Sequence, residues 1–289
     1  MSEQLITIEE IVSRTTDLPS IPAAALKVLQ ETESSTSTAS SVAQILSTDQ
    51  ALSARILRLA NSAYYGLSRR VGNLSEAVVV LGMRTVRNLA IVASSYPWMT
   101  KPVPGYELGT KELWLHSFGV AIGAQLAAKR ANSPLEEQAF TSGLLCDIGK
   151  LALSVWFENK TDKMLQLAQA KRTSFIQVER MLLGYDHAEV GAHLAESWNF
   201  PKEIVNAIKY HHDPDACEDR TLLVDCVHFG DYITMLMGFG LGGDGMQYRF
   251  CESTLERLGI EPDDLDDVIS EFVTQYEAYE KMFEELQAA

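Results

Sequence analysis

The chain has 289 residues, of which 46% are hydrophobic and 22% charged, a composition typical of a folded globular protein rather than a disordered one. Its formal net charge of -15 opposes general binding to a phosphate backbone, so we expect no nucleic-acid partner. The acidic N-terminus lacks the basic region and apolar stretch of a secretory signal, and the four cysteines form no C-x-x-C pair. These features predict a cytoplasmic protein with reduced thiols and no membrane association.

The charge is unevenly distributed along the chain. Residues 252–285 contain twelve acidic and two basic residues, whereas residues 51–100 contain six arginines and a single acidic residue, Glu76. Two interpretations stay open for the arginine-rich stretch. It is either the solvated face of helices or a surface that receives an anionic partner.

Helical signals dominate from the N-terminus onward. Thr7 and Glu10 form a capping box for a short first helix, and Pro22 suits the first position of a second helix. In residues 49–66, apolar side chains recur at spacings of four, three and four at Leu52, Ile56, Leu59 and Ala63, which predicts an amphipathic helix. Further helical patterns cover residues 77–94, 110–131, 134–146, 161–172, 174–183, 187–198, 201–212, 221–237 and 263–287.

The best internal boundary is residues 97–109, which contain three prolines and two glycines. We predict an all-α protein with one helical lobe over residues 1–104, a second helical bundle over 105–240, and a loop with an acidic C-terminal helix over 241–289. Residues 238–245 match a G-x-G-x-x-G pattern formally. Because a helix rather than a strand precedes them, we expect a loop there and no dinucleotide site.

Histidines and aspartates recur at helix positions where a bundle brings side chains together. Asp147 follows the apolar run AFTSGLLC, where a carboxylate needs a partner, and Asp231 lies within another apolar helix. Imidazole and carboxylate are the ligands of borderline divalent metals, and helix bundles build such sites from inward-pointing side chains. The alternative is a vestigial cluster, hydrogen-bonded without metal. The candidate set is His116, Asp147, His187, His211, His212 and Asp231.

The sequence segments around these residues resemble those of a known family. GLLCDIGKLAL resembles the GLLHDIGKLxL segment of the HD hydrolase superfamily. Five further segments resemble the HDOD family in the same order, over about residues 18–214. They are LANSAYYG, AVVVLGMRTVRNLA, WLHS, GYDHAEVGAHLAESWNFP and AIKYHHDP. The resemblance implies that the second bundle is HD-like.

The resemblance also implies a ligand set. In metal-bearing HD-GYP relatives, one metal takes a helix histidine, both residues of the HD pair and a late aspartate. Their counterparts here are His116, Cys146, Asp147 and Asp231. A second metal shares the HD aspartate and takes three later histidines, which match His187, His211 and His212. Lys150 matches a lysine that lies near the scissile phosphate in that relative.

Two departures from the family pattern change these expectations. Cys146 replaces the histidine of the HD pair, and because a thiolate can bind zinc or iron, part of the first metal position is expected to be kept. The HHExxDGxGYP extension is absent, so we do not expect cyclic-dinucleotide hydrolysis. Any divalent metal (zinc, iron, nickel or manganese) should therefore favour Asp147 and the three later histidines over the first position. Outside the ligand set, His193 should face elsewhere, and His228 is a candidate for a supporting hydrogen bond.

Two functions follow from the resemblance. The first is a bacterial signal-transduction protein that acts through a protein partner or a small ligand and keeps a degenerate metal site. The alternative is a metal-dependent phosphohydrolase acting on a nucleotide or another phosphoester, with Asp147 and Lys150 as catalytic residues. Because the first metal position is altered, we expect signalling rather than turnover.

Overall fold

A computed structural model describes residues 6–14, 21–157, 160–242 and 249–288, and these ranges contain sixteen α-helices and no strand. The predicted all-α fold is therefore confirmed. The loop predicted over residues 238–245 lies partly outside the described residues. The helices are α1 Ile8–Arg14, α2 Ala23–Glu33, α3 Ala39–Leu46, α4 Gln50–Ala60, α5 Leu74–Leu81, α6 Met83–Met99, α7 Glu112–Arg130, α8 Glu136–Leu145, α9 Ile148–Phe157, α10 Thr161–Lys171, α11 Phe175–Leu183, α12 His187–Ser197, α13 Lys202–Tyr210, α14 Leu222–Leu236, α15 Ser253–Leu258 and α16 Leu265–Ala288.

The helices group into two compact units, each made of two separate stretches of chain. The larger unit comprises residues 1–19 and 98–269, and the smaller unit comprises residues 20–97 and 270–289. The continuous ranges proposed from the sequence, 1–104, 105–240 and 241–289, stay a prediction. All of the candidate site residues lie in the larger unit.

In the smaller unit, the predicted amphipathic helix is α4, with Leu52, Ile56 and Leu59 buried. The helix ends at Ala60 rather than continuing to Ala63, because the Asn61 side chain donates to the carbonyl of Leu57 at 2.7 Å and closes the last turn. Ala63 instead begins a short 3-10 turn and is exposed. The predicted set of buried apolar residues on this helix was therefore wrong in one member, Ala63.

Proline 97 lies inside α6, near its C-terminal end. A proline has no N–H group, so the carbonyl of Ala93 four residues earlier loses its helical donor. The guanidinium of Arg55 donates to that carbonyl at 3.0 Å. One arginine of the basic stretch therefore has a structural role within the smaller unit.

Close helix packing in the larger unit depends on missing side chains. A Cβ atom added at Gly123 of α7 would lie 2.7 Å from the Cα atom of Gly230 of α14, closer than van der Waals contact permits. The two backbones can approach this closely only because both residues are glycine. This approach carries His116 on α7 to Asp231 on α14.

One stretch, Glu136–Phe157, is long and apolar enough to cross a membrane by length and composition alone. It spans α8 and α9, and 83% of its most apolar window is buried inside the protein. The core helices of soluble proteins pass the same test. The burial of this stretch is that of a packed core, in which Asp147 lies between the two helices.

Candidate metal centre

Five segments of the larger unit place the candidate side chains. Capping fixes one of them directly, because Asp186 and Glu189 form a capping box that begins α12 at His187. His211 and His212 follow α13, where the helix gives way to a turn. The structure brings six predicted side chains into one buried cluster, namely His116, Asp147, His187, His211, His212 and Asp231.

Asp147 is the centre of this cluster. One of its oxygens, Oδ2, accepts from Lys150 Nζ at 2.8 Å and lies 3.3 Å from His116 Nε2. The other, Oδ1, lies 3.2 Å from His187 Nε2 and 3.7 Å from His211 Nε2. Burial raises the pKa of Asp147, but the charge of Lys150 and the two facing imidazoles outweigh it and hold the pKa well below its usual range. The carboxylate is therefore ionised.

Four of the side chains, called here the four-ligand set, lie close enough together to hold one metal ion. One ligand atom from each of Asp147, His187, His211 and His212 lies within 4.8 Å of the others. The Nε2 atom of His211 is buried and has no hydrogen-bond partner among the described residues. A buried nitrogen without a partner, aimed at an ionised carboxylate, fits a divalent cation better than a finished hydrogen-bond network.

The imidazole rings are held so that their Nε2 atoms face this centre. His187 donates through Nδ1 to Glu179 at 2.8 Å, and His211 donates through Nδ1 to the carbonyl of Ile208 at 2.7 Å. The Nε2 atoms of His187 and His212 lie 2.9 Å apart. Fixing a ligand ring through its other nitrogen is how proteins orient metal-binding histidines.

The neighbouring histidines of this group have opposite protonation tendencies without metal. Burial lowers the pKa of His187, but the charge of Glu179 and hydrogen bonds to Asp147 and Glu179 raise it to about 10. Burial and the neighbouring imidazoles hold the pKa of His212 well below its usual value. His187 is therefore the donor in the short contact with His212.

The side chains of the first metal position, His116, Cys146 and Asp231, make other contacts. His116 donates through Nδ1 to the carbonyl of Phe239 at 3.1 Å, and its Nε2 lies 3.1 Å from Asp231 Oδ1. Burial lowers the pKa of His116, but Asp231 and Asp147 outweigh that effect and raise it. Burial and the nearby carboxylates raise the pKa of the Cys146 thiol well above its usual value, so the residue stays a neutral thiol. His116, Cys146 and Asp231 do not belong to the four-ligand set.

Glu179 and Tyr106 are functional residues that the sequence reasoning missed. Glu179 is fully buried on α11 and accepts from the Tyr106 hydroxyl at 2.6 Å and from the His187 backbone N–H at 2.9 Å. Together with the bond from His187 Nδ1, these contacts fix the His187 ring. A signal existed, because a glutamate next to Val178 in an otherwise apolar helix face demands a buried partner.

His228 supports the site without joining it. Its Nδ1 donates to the backbone carbonyl of His211 at 2.6 Å, and its Nε2 accepts from the backbone N–H of Cys251 at 2.9 Å. Burial lowers the pKa of His228, consistent with the neutral ring that these two bonds require. The supporting hydrogen bond expected for this residue therefore goes to His211.

A cavity of about 440 Å³ opens beside the centre, with His212 in its wall. Its lining includes two arginines, Arg180 and Arg249, and the aromatic ring of Phe250. The side chain of His212 is 13% exposed, whereas those of Asp147, His187 and His211 are 1% exposed or less. His212 is therefore the part of the ligand set that this cavity reaches.

The HDOD domain model matches residues 18–214, more than half of the chain. The chain belongs to the HDOD family. The resemblance read from the sequence segments is thereby confirmed. It extends over both helical regions, from α2 to the turn after His212.

Solved structures of similar proteins share this HDOD fold. A phosphohydrolase-like protein from Shewanella amazonensis is 31% identical, with a TM-score of 0.70 over 94% of this chain and 96% of that one. An HDOD domain protein from Geobacter sulfurreducens is 29% identical, with a TM-score of 0.69 over 91% of this chain and 86% of that one. Among curated proteins, an uncharacterized protein from Treponema pallidum is 26% identical over 76% of this chain, which spans 43% of that relative's length.

Proposed function

We propose that this HDOD protein is a cytoplasmic regulatory protein that holds one divalent metal and acts by binding a partner protein or a small ligand rather than by turnover. The observation that carries the proposal is the set of Asp147, His187, His211 and His212, whose ligand atoms lie within 4.8 Å of one another. Three imidazoles and one carboxylate are a sufficient ligand set for zinc, iron, nickel or manganese. When bound, such a metal supplies a Lewis-acidic centre that attracts oxyanions.

The residues around the proposed ligands prepare them to bind. Glu179 fixes His187 by accepting from its backbone N–H and its Nδ1, the Tyr106 hydroxyl donates to Glu179 in turn, and His228 fixes the backbone of His211. The Nζ atom of Lys150 lies 2.8 Å from Asp147 Oδ2, and its positive charge favours the ionised carboxylate. A site whose side chains are held from outside in this way loses little conformational entropy when it binds a ligand.

Regulation is favoured over turnover by the state of the first metal position. A two-metal phosphohydrolase needs ligands on both sides of the bridging aspartate to hold the attacking and leaving oxygens. Here Cys146 stands where the HD pair has an imidazole, and the side chains whose ligand atoms lie within 4.8 Å of one another are on the other side of Asp147. The part of the site that a second metal requires is therefore weakened.

A specific observation supports the second candidate, a metal-dependent phosphohydrolase. Lys150 Nζ lies 2.8 Å from Asp147, where its charge would steady a phosphate, and the cavity gives small molecules access to His212. The 31% identical neighbour from Shewanella amazonensis is named as a phosphohydrolase. In this alternative, Asp147 and Lys150 are the catalytic residues.

Metal content and turnover separate the two functions. Elemental analysis of the purified full chain should give about one divalent metal per chain, and a screen of phosphomonoesters, phosphodiesters and nucleotides should give no turnover above that of Lys150→Gln. Lys163→Gln, an exposed lysine on α10 outside the site, is the matched control. Metal-dependent turnover lost in Lys150→Gln and kept in Lys163→Gln would establish the phosphohydrolase. A protein that binds no added divalent metal would overturn the metal-binding proposal.

A further inference from the structure

The cavity beside His212 has the composition of a small-molecule site. Its volume of about 440 Å³ lies within the range that holds ligands of nucleotide size and exceeds what a free phosphate fills. Ile176 and Phe250 supply apolar wall, and Thr173, Ser174 and Gln177 supply hydrogen-bonding groups. A ligand with one apolar part and one polar part would match this lining.

The cavity wall contains positively charged side chains, although the chain as a whole is negatively charged. The whole protein carries a formal charge of -15, yet the described lining residues include Arg180 and Arg249 against one carboxylate, Asp213. Both arginines are exposed, so their guanidinium groups are accessible to a ligand. A guanidinium binds phosphate oxygens through paired, charge-assisted hydrogen bonds. An anion that most of the surface repels would meet two guanidinium groups here, of which that of Arg180 also pairs with Asp186 at 2.7 Å.

The cavity is also joined to the metal ligands. His212 belongs both to its wall and to the four-ligand set. Phe250 stacks on His228 with ring centroids 5.1 Å apart, and Cys251 donates its backbone N–H to the same ring at 2.9 Å. His228 in turn donates to the carbonyl of His211 at 2.6 Å. Two wall residues and a ligand backbone are thus linked by direct contacts.

A third link runs through Arg180. Its guanidinium lies 2.7 Å from Asp186 Oδ2, and Asp186 is the N-cap residue that begins α12 at His187. A ligand that binds the Arg180 guanidinium would take this ion-pair partner away from the Asp186 carboxylate. Arg180 therefore connects the cavity with the start of the helix that carries His187.

We infer that this cavity binds a small phosphomonoester, with its phosphate between Arg180 and Arg249, and that this binding is coupled to metal occupancy through His212 and His228. The coupling rests on the proposed metal site, whereas the phosphate site does not. By linkage, the factor by which the metal changes phosphomonoester affinity equals the factor by which the phosphomonoester changes metal affinity. The cavity would then be where the regulatory protein receives its small ligand.

Isothermal titration of the full chain tests the phosphate site, first without metal and then with zinc. The probes are inorganic phosphate, adenosine monophosphate and, as a neutral match, adenosine. We expect at least one of the phosphates to bind, and adenosine to bind at least about tenfold more weakly than its monophosphate. Arg249→Gln should weaken phosphate binding at least about tenfold, because it removes a charge-assisted hydrogen bond. Arg130→Gln, at an exposed arginine on α7 outside the cavity lining, should leave it unchanged.

The outcomes are separable. Absence of saturable binding by both phosphates, equal binding in Arg249→Gln, or binding of the dicarboxylate succinate as tightly as the phosphates would overturn the phosphate site. Phosphate binding that depends on Arg249 but differs less than about threefold between metal-free and zinc-loaded protein would overturn the coupling alone. If the chain binds no zinc while phosphate binding still depends on Arg249, the proposed metal function fails and the cavity assignment stands.

Discussion

Glu179 provides the sharpest test of how the site is held together. This fully buried carboxylate accepts from the Tyr106 hydroxyl, the His187 backbone N–H and His187 Nδ1, at 2.6, 2.9 and 2.8 Å. Glu179→Gln keeps the size of the side chain and removes its charge. The amide oxygen can still accept both bonds from His187, and the Tyr106 hydroxyl can rotate to accept from the amide nitrogen.

The expected magnitude follows from that geometry. Hydrogen bonds to a charged group contribute about 1.5–3 kcal/mol and neutral ones about 0.5–1.5, so Glu179→Gln should lower the free energy of unfolding by about 1–3 kcal/mol. Glu179→Leu leaves the donors unpaired in the core and should lower it by about 3–5 kcal/mol. Metal affinity in Glu179→Gln should fall about 10- to 100-fold, because the carboxylate orients a metal ligand.

Urea unfolding measures the first effect and isothermal titration with zinc measures the second. Glu196→Gln is the matched control, since Glu196 lies exposed on the same helix as His187. Its unfolding free energy should change by less than about 0.5 kcal/mol. Unchanged stability and unchanged zinc affinity in Glu179→Gln would refute the reasoning. Lost stability with full zinc affinity would show that Glu179 is a structural partner that does not position His187.

Three further predictions follow. The metal-free protein should lose stability as pH rises from about 6.5 to about 10. Burial lowers the pKa of His187, but Glu179 and Asp147 raise it to about 10, so the stabilisation by its protonated ring is complete below the unfolded pKa of about 6.5 and is lost as pH rises through the folded pKa. Urea unfolding across that range should show a smaller decline in Glu179→Gln. Cys146→His should raise bound metal from about one to about two ions per chain by elemental analysis, because it restores an imidazole to the first position; an unchanged content would contradict this. Gly123→Ala should lower the unfolding free energy by about 1–3 kcal/mol, because its Cβ would lie 2.7 Å from the Gly230 backbone, and an unchanged urea midpoint would count against that close approach.

Much of the site was predictable from local sequence signals. The capping box of Asp186 and Glu189 fixes where α12 begins, and therefore where His187 points. An aspartate after the apolar run of α8 had to be buried, and a buried carboxylate needs cationic or donor partners. Apolar periodicity identified α4, and the helical pattern predicted from residue 77 onward falls in α5.

The remaining features depend on contacts between residues distant in sequence. Tyr106 and Glu179 meet across 73 positions, and no local pattern connects them. The hydrogen bond that Arg55 donates to the carbonyl of Ala93, like the close approach at Gly123 and Gly230, appears only when helices are packed. The sequence also placed Cys146 among possible ligands; it lies outside the four-ligand set, and its role as a ligand stays a prediction.

The most direct test of the central claim is the position of bound metal, measured by anomalous scattering at the zinc edge from crystals of the zinc-loaded protein. We expect one strong peak enclosed by Asp147, His187, His211 and His212, and its loss in His211→Ala. Density between His116 and Asp231 should be weaker. A strong peak at His116 and Asp231 alone, an undiminished peak in His211→Ala, or no peak in the wild-type protein would contradict the claim.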